Sequence, residues 1–208
     1  MKLLGKPLPL VVAVTVAAVA TVVSGIAPYD RTTWFLEVAP VLVGVPLLLA
    51  TARRFPLTPL LYGLLLFHAL VLVMGGHYTY ARVPLGFWAQ EVFGFARNHY
   101  DRLGHLTQGF VPAVLVREIL RRKVLALRGG WLPFLAVSVC LAFSAFYELI
   151  EWWTALAGGE AAESFLGTQG DVWDTQWDMF LALVGAILAL ATLSRLHERQ
   201  LLRLPAAE

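Results

Sequence analysis

The chain lacks most of what marks other protein classes. It has one cysteine, Cys140, so no disulfide can form within it. Cys140 lies in an apolar run and reads as a packed, inert thiol. Charged residues are scarce, at 14%, against 59% hydrophobic residues. A soluble domain carries roughly 25% charged and about 45–50% apolar residues. The sequence has no long linker, no low-complexity tract and no clear internal repeat. It has no His-Glu-x-x-His pair and no nucleophile elbow, the signatures of many zinc proteases and serine hydrolases. These absences exclude a disulfide scaffold and a water-soluble domain. They leave an integral membrane protein, with the lipid bilayer as its first partner and no nucleic-acid partner expected.

What the chain does have is a series of apolar runs, each near the ~20 residues a membrane helix needs. They predict an all-α, polytopic membrane protein, a single domain over 1–208 with six transmembrane helices. The spans fall at about 7–25, 33–51, 57–76, 102–120, 131–153 and 174–193. The first run follows Lys2 and Lys6 and exceeds the roughly 7–15 apolar residues of a signal peptide, so a retained helix is expected. Between the third and fourth spans, Pro84–Arg97 carries Phe87, Trp88, Phe93 and Phe95, with proline where a helix starts. This stretch reads as an interfacial helix lying on the membrane surface.

Charge then sets the expected orientation. Lys2, Lys6, Arg53, Arg54, Arg117, Arg121, Arg122, Lys123, Arg128, Arg195, Arg199 and Arg203 fall on one side, 12 of the 16 basic residues. Only Arg31, Arg82, Arg97 and Arg102 fall on the other. The positive-inside rule makes both termini cytoplasmic. The acids do the reverse. Apart from Glu118, Glu198 and Glu208, all lie in outward loops or at outer helix ends. Topology alone does not require that.

The densest part of this acidic layer is Gly170-Asp171-Val172-Trp173-Asp174-Thr175-Gln176-Trp177-Asp178. Its aspartates recur at i, i+3 and i+7, which puts three like charges on one helix face. A cation, a basic partner or protonation must offset them. The predicted topology brings Glu37, His77, Asp101, His105, Glu148, Glu151, Asp174 and Asp178 to the same depth. Asp101/His105 and Asp174/Asp178 are i,i+4 pairs, and Glu148/Glu151 is i,i+3, so each pair can face one point. Mixed imidazole and carboxylate donors on bundle helices suit a divalent zinc, manganese or iron ion. On this reading His77, Asp101, His105, Asp174 and Asp178 are candidate metal ligands, and Glu148 and Glu151 are candidate catalytic carboxylates.

Two other readings compete. The acids can be helix caps and ion-pair partners of Arg82, Arg97 and Arg102, or they can line a cation pathway. Capping accounts for Asp101 and Asp174, but not for Glu148 and Glu151 at a helix C-terminal end. Elsewhere, His68 reads as a hydrogen-bonded core histidine, and His99 and His197 as solvated. Ser144 is a nucleophile candidate whose ordinary role is a helix–helix hydrogen bond. The seven tryptophans fall near predicted span ends, as an aromatic belt does.

Together, His77-Tyr78-Thr79-Tyr80, Asn98-His99-Tyr100-Asp101-Arg102-Leu103-Gly104-His105, Phe146-Tyr147-Glu148 and Gly170–Asp178 resemble the YjdF-type bacterial inner-membrane proteins. The resemblance covers nearly the whole chain. It implies a small multi-pass protein of the inner membrane and implies no activity. The residues themselves lead to the expected function, a metal-dependent membrane hydrolase acting on a lipid or envelope precursor. The alternatives are a cation-binding transporter or channel, and a structural or interaction protein. Substrate and oligomeric state are not legible.

Overall fold

The computed structural model describes residues 2–3, 6–124, 127, 129–158 and 163–204. Arg128, Glu160 and Glu208, which belong to the charge pattern above, lie outside them. Lys2–Leu3 and Lys6–Pro7 form a two-residue antiparallel pairing, and among the described residues every later element is helical. The helices are α1 (Leu8–Ser24), α2 (Arg31–Thr51), α3 (Pro59–Tyr78), α4 (Pro84–Phe93), α5 (Tyr100–Lys123), α6 (Trp131–Gly158), α7 (Glu163–Leu166) and α8 (Asp174–Leu201).

Local chemistry explains most boundaries. Asp30 caps α2 by accepting from Thr33 N at 2.7 Å, and Thr58 with Pro59 opens α3. α4 stops four residues short of the expected Arg97, because Gly94 takes a left-handed turn (φ 67°) that ends the helix. α6 and α8 outrun their predicted spans, reaching Gly158 and Leu201. α2, α3, α6 and α8 are each long and apolar enough to cross a membrane. α1 is apolar but has only 17 residues. α5 has 24 residues and carries Asp101, Arg102, Arg117, Glu118 and a basic last turn.

Pair contacts give the helix directions. α5 and α8 run parallel: Arg102 meets Asp178, Gly109 meets Ala182, and Glu118 meets His197. α3 runs against α5, with His68 on Thr107 and Thr58 on Glu118. Glu148 in the second half of α6 faces His105 near the start of α5. Glu37 in the first third of α2 meets Tyr147 of α6, and Ser24 at the end of α1 meets His77 at the end of α3. The six long helices therefore alternate. The starts of α2, α5 and α8 and the ends of α1, α3 and α6 gather at one end of the bundle, here called the acidic end.

α5 and α8 form the spine. A side-chain carbon on Gly109 would run into the backbone of Ala182, and one on Gly185 into the backbone of Leu106. Small residues let the two backbones touch, which is how helices associate where no hydrophobic drive separates protein from lipid. Apolar packing around Leu10, Leu61, Tyr62, Ala113, Val114, Ala186 and Ala189 fills the half away from the acidic end. Cys140 is buried in that same packing, as expected.

Candidate functional site

The acidic end separates the residues of the sequence readings into two groups. The aspartates at i, i+3 and i+7 are gathered by two arginines. Arg102 reaches Asp171 at 2.8 Å, Asp174 at 3.1 Å and Asp178 at 3.2 Å. Arg97 reaches Asp174 at 2.6 Å and Asp171 at 3.4 Å, and donates to the Thr168 carbonyl. A basic partner thus offsets this row. The expected caps are corrected. α8 begins under Asp171, which accepts from Trp173 N at 2.9 Å, and α5 begins under Asn98, which accepts from Tyr100 N at 3.0 Å. Asp101 and Asp174 face inward instead. Beside this row, burial first, and then the neighbouring Arg97 and Arg102 charges, hold the loop residue His99 below the usual imidazole range.

One turn deeper the arginines run out. Among the described residues, no lysine or arginine lies within ion-pair distance of Glu37, Asp101, Glu148 or Glu151. His105 sits between carboxylates. Its Nε2 is 3.5 Å from Asp101 Oδ1 and 3.9 Å from Asp178 Oδ2, and its Nδ1 is 3.9 Å from Glu148 Oε1. Two sets of potential ligand atoms, Asp101/His105/Asp178 and His105/Glu148/Glu151, each lie within 4.8 Å of one another. The His105 and Glu148 side chains are only 7% and 6% exposed.

The pairing of these groups is incomplete in one place. His105 Nδ1, Glu148 Oε1 and Ser144 Oγ are buried with no hydrogen-bond partner. Ser144 precedes Glu148 by four residues, so both side chains leave α6 on one face. Thr21, Thr51, Thr154, Thr192 and Ser194 each return their hydroxyl to the carbonyl four residues back. Ser144 does not, and the helix–helix bond expected of it is not made among the described residues. Unpaired buried polar atoms are rare, and these three come from two facing helices; His99 Nδ1 and Arg122 Nη2 are the others among the described residues.

The opposite end supplies a control. Glu118 Oε2 accepts from His197 Nε2 at 2.9 Å and from Thr58 Oγ1 at 2.9 Å, and Glu118 Oε1 pairs with Arg122 at 3.0 Å. His197 Nδ1 accepts a bond from Arg117 at 2.9 Å. His197 is fully enclosed, which corrects the expectation that it is solvated. Here a glutamate and a histidine close to hydrogen-bond distance and satisfy each other. At the acidic end the same two residue types stand apart.

Two further placements matter. His77 is not brought to the cluster: its Nδ1 is 2.8 Å from the Ser24 carbonyl, tying α3 to α1. Asp174 is held by the arginines. His68 is the hydrogen-bonded core residue expected of it, 3.1 Å from Thr107 Oγ1. Because Thr107 gives its only proton to the Gly104 carbonyl, His68 Nδ1 is the donor. Sequence reasoning missed Tyr147, whose hydroxyl donates to Glu37 Oε2 at 3.2 Å. Its place one residue before Glu148 was the available signal.

Apolar helices around an internal, carboxylate-rich polar layer define a multi-pass membrane protein. Over residues 9–199 the chain matches the family described as "Predicted membrane protein (DUF2238)", and it belongs to that family. It is 54% identical over 198 residues, 95% of each chain, to the inner membrane protein YjdF of Escherichia coli (strain K12). No solved structure matches. The relative is an inner-membrane protein, and the apolar helices here fit the same setting. Neither match names an activity.

Proposed function

We propose that the chain is a metal-dependent hydrolase of the bacterial inner membrane. Its site opens outward, it spans the membrane six times and both its termini are cytoplasmic. The observation that carries the proposal is the 3.9 Å gap between His105 Nδ1 and Glu148 Oε1, both buried and both unpartnered. The gap is too long for a hydrogen bond. Two metal–ligand bonds of roughly 2.0–2.2 Å can span it. His105 with Glu148 and Glu151 would hold the ion, and zinc, manganese or iron suits that donor set. Asp101, on the other ring nitrogen, would orient the imidazole, as carboxylates do behind metal-bound histidines. Asp178 joins Asp101 there and divides its oxygens between His105 and Arg102.

A metal at this position would bring the pKa of a bound water to about 7 and supply a nucleophile. Ser144, one turn deeper, would direct its free hydroxyl at the ion or at the reacting group. The substrate class that fits a site inside a bilayer is a lipid or lipid-linked envelope precursor. A transporter needs a polar path to both faces. Below Gln108, α5 offers Phe110, Val111, Ala113 and Val114 until Arg117, and the apolar core includes Phe110, Ala113 and Val114 of that stretch. That supports a dead-end site over a pathway.

The test is metal analysis of the purified protein before and after chelation, repeated on His105→Ala and Glu148→Gln. About one ion per chain, lost in both variants while the helical content persists, supports the reading. A folded wild-type chain that takes up none of the three metals rejects it.

A further inference from the structure

α2 and α6 are both long, apolar, lipid-facing helices, yet they do not pack along each other. Among the described residues one hydrogen bond joins them, Tyr147 to Glu37. Between them lies a groove of about 490 Å³, lined by Thr32, Leu36, Ile150, Trp153, Thr154 and Ala157. That volume is within the roughly 300–1,000 Å³ of small-molecule sites. On α6 the lining follows one stripe, Ile150, Trp153/Thr154 and Ala157, and Tyr147 continues it one turn deeper. Beyond the lining, the Tyr147–Glu37 pair joins the two helices, and Phe165 of α7 packs against the Tyr147 ring there. Glu37 lies within electrostatic range of His105 and Asp101. Glu151 follows Ile150 directly and belongs to the His105 cluster. The groove therefore runs from the lipid-facing surface toward the helix turns that carry the proposed metal site.

Among the described residues, its mouth carries one exposed charge without a partner. Arg31, the first residue of α2 and next in the chain to Thr32, is exposed and has no ion-pair or hydrogen-bond partner among the described residues. Its neighbour Asp30 is already occupied with capping α2. Trp153, half-exposed in the lining, offers an indole that suits the headgroup boundary.

We infer that this groove is a lateral entrance from the bilayer. Its occupant is an anionic lipid, with its upper acyl chain between α2 and α6 and its headgroup phosphate against Arg31. The inference rests on the hydrolase reading only in making this lipid a substrate; occupancy of the groove requires no metal. Entry from the side explains how a site buried among helices can meet a water-insoluble molecule. It narrows the substrate class to phosphate-bearing amphiphiles.

The test uses the full chain in vesicles of phosphatidylglycerol or of phosphatidylcholine, with a photo-crosslinking amino acid at Leu36. A control chain carries it at Val43, which is 67% exposed on the same helix. At Leu36, capture of phosphatidylglycerol should exceed that of phosphatidylcholine by roughly fivefold, the worth of one basic residue near an anionic lipid. The preference should vanish in Arg31→Gln and be absent at Val43. Equal capture of both lipids at Leu36, an equal preference at Val43, or a preference that survives Arg31→Gln each overturns the inference. The expected capture pattern in a chain that binds no metal keeps the entrance and rejects the hydrolase; metal binding without lipid preference does the reverse.

Discussion

Glu118 and His197 meet at 2.9 Å with neither side chain exposed, on helices that lie side by side from end to end. The bond locks α5 to α8 at the end far from the proposed site, Thr58 adds α3 to the lock, and Arg122 pairs with Glu118 within α5. Removing the carboxylate takes the partner from four donors at once, Thr58 N, Thr58 Oγ1, Arg122 Nη1 and His197 Nε2. Glu118→Ala should cost about 3–5 kcal/mol, as breaking other buried charged pairs does. Unfolding of the purified protein in increasing denaturant measures it. Metal content should stay at the wild-type level in the fraction that folds, because the network touches no ligand.

The acidic end should respond the other way. His105→Ala should abolish metal binding while the helices still form, since its Nδ1 makes no bond to lose and its Nε2 contacts with Asp101 and Asp178 are long, at 3.5 and 3.9 Å. Asp101→Asn should keep the ligands and lower metal affinity about 10–100-fold, the usual effect of removing an orienting partner. Metal titration of the two variants separates the roles. Equal, complete loss in both would make Asp101 a ligand rather than an orienting group.

Ser144 distinguishes a site from an accident of packing. An enclosed hydroxyl without a partner costs about 1–3 kcal/mol. If Ser144 is only structural, Ser144→Ala should raise stability by about 1 kcal/mol and leave metal affinity unchanged. The proposed role predicts the same gain in the metal-free protein together with weaker metal binding. Thermal unfolding with and without chelator reads both.

The spine is sensitive to a single carbon. Gly109→Ala places its methyl against the Ala182 backbone, which cannot turn aside as a side chain can. Overpacking of this kind typically costs about 1–3 kcal/mol. Gly63→Ala, where nothing lies within 4 Å, should be silent and serves as the control. Unfolding midpoints of the two variants should differ accordingly.

Orientation is open to a direct check. A reporter active only outside the cytoplasm, fused at the C-terminus, should stay inactive, and one fused in the loop that holds Thr168 should be active. An active C-terminal fusion would place the acidic cluster on the cytoplasmic side and end the proposal of an outward-facing site.

Much of this molecule was legible without coordinates because membrane helices obey one-dimensional rules. Apolar length marks a span, and the alternation of loops sets which helix ends share a layer. Asp101, His105, Glu148, Glu151 and Asp178 could be named together for that reason, and the motifs around them carried the family. Layer depth is a property of chain position, and the sequence by itself determined it. Side-chain direction and partner choice depend on how helices rotate and pair, and only the tertiary structure decided those. It gave Asp174 to Arg97 and Arg102, took His77 away to Ser24, and drew His197 in from an expected solvated place to Glu118. It also left His105 Nδ1, Glu148 Oε1 and Ser144 Oγ facing inward with nothing to bond. A hydrogen bond forms or fails over a few tenths of an ångström, and that interval is set by the close contact of α5 with α8 and by α6 packing beside them, not by spacing along the chain.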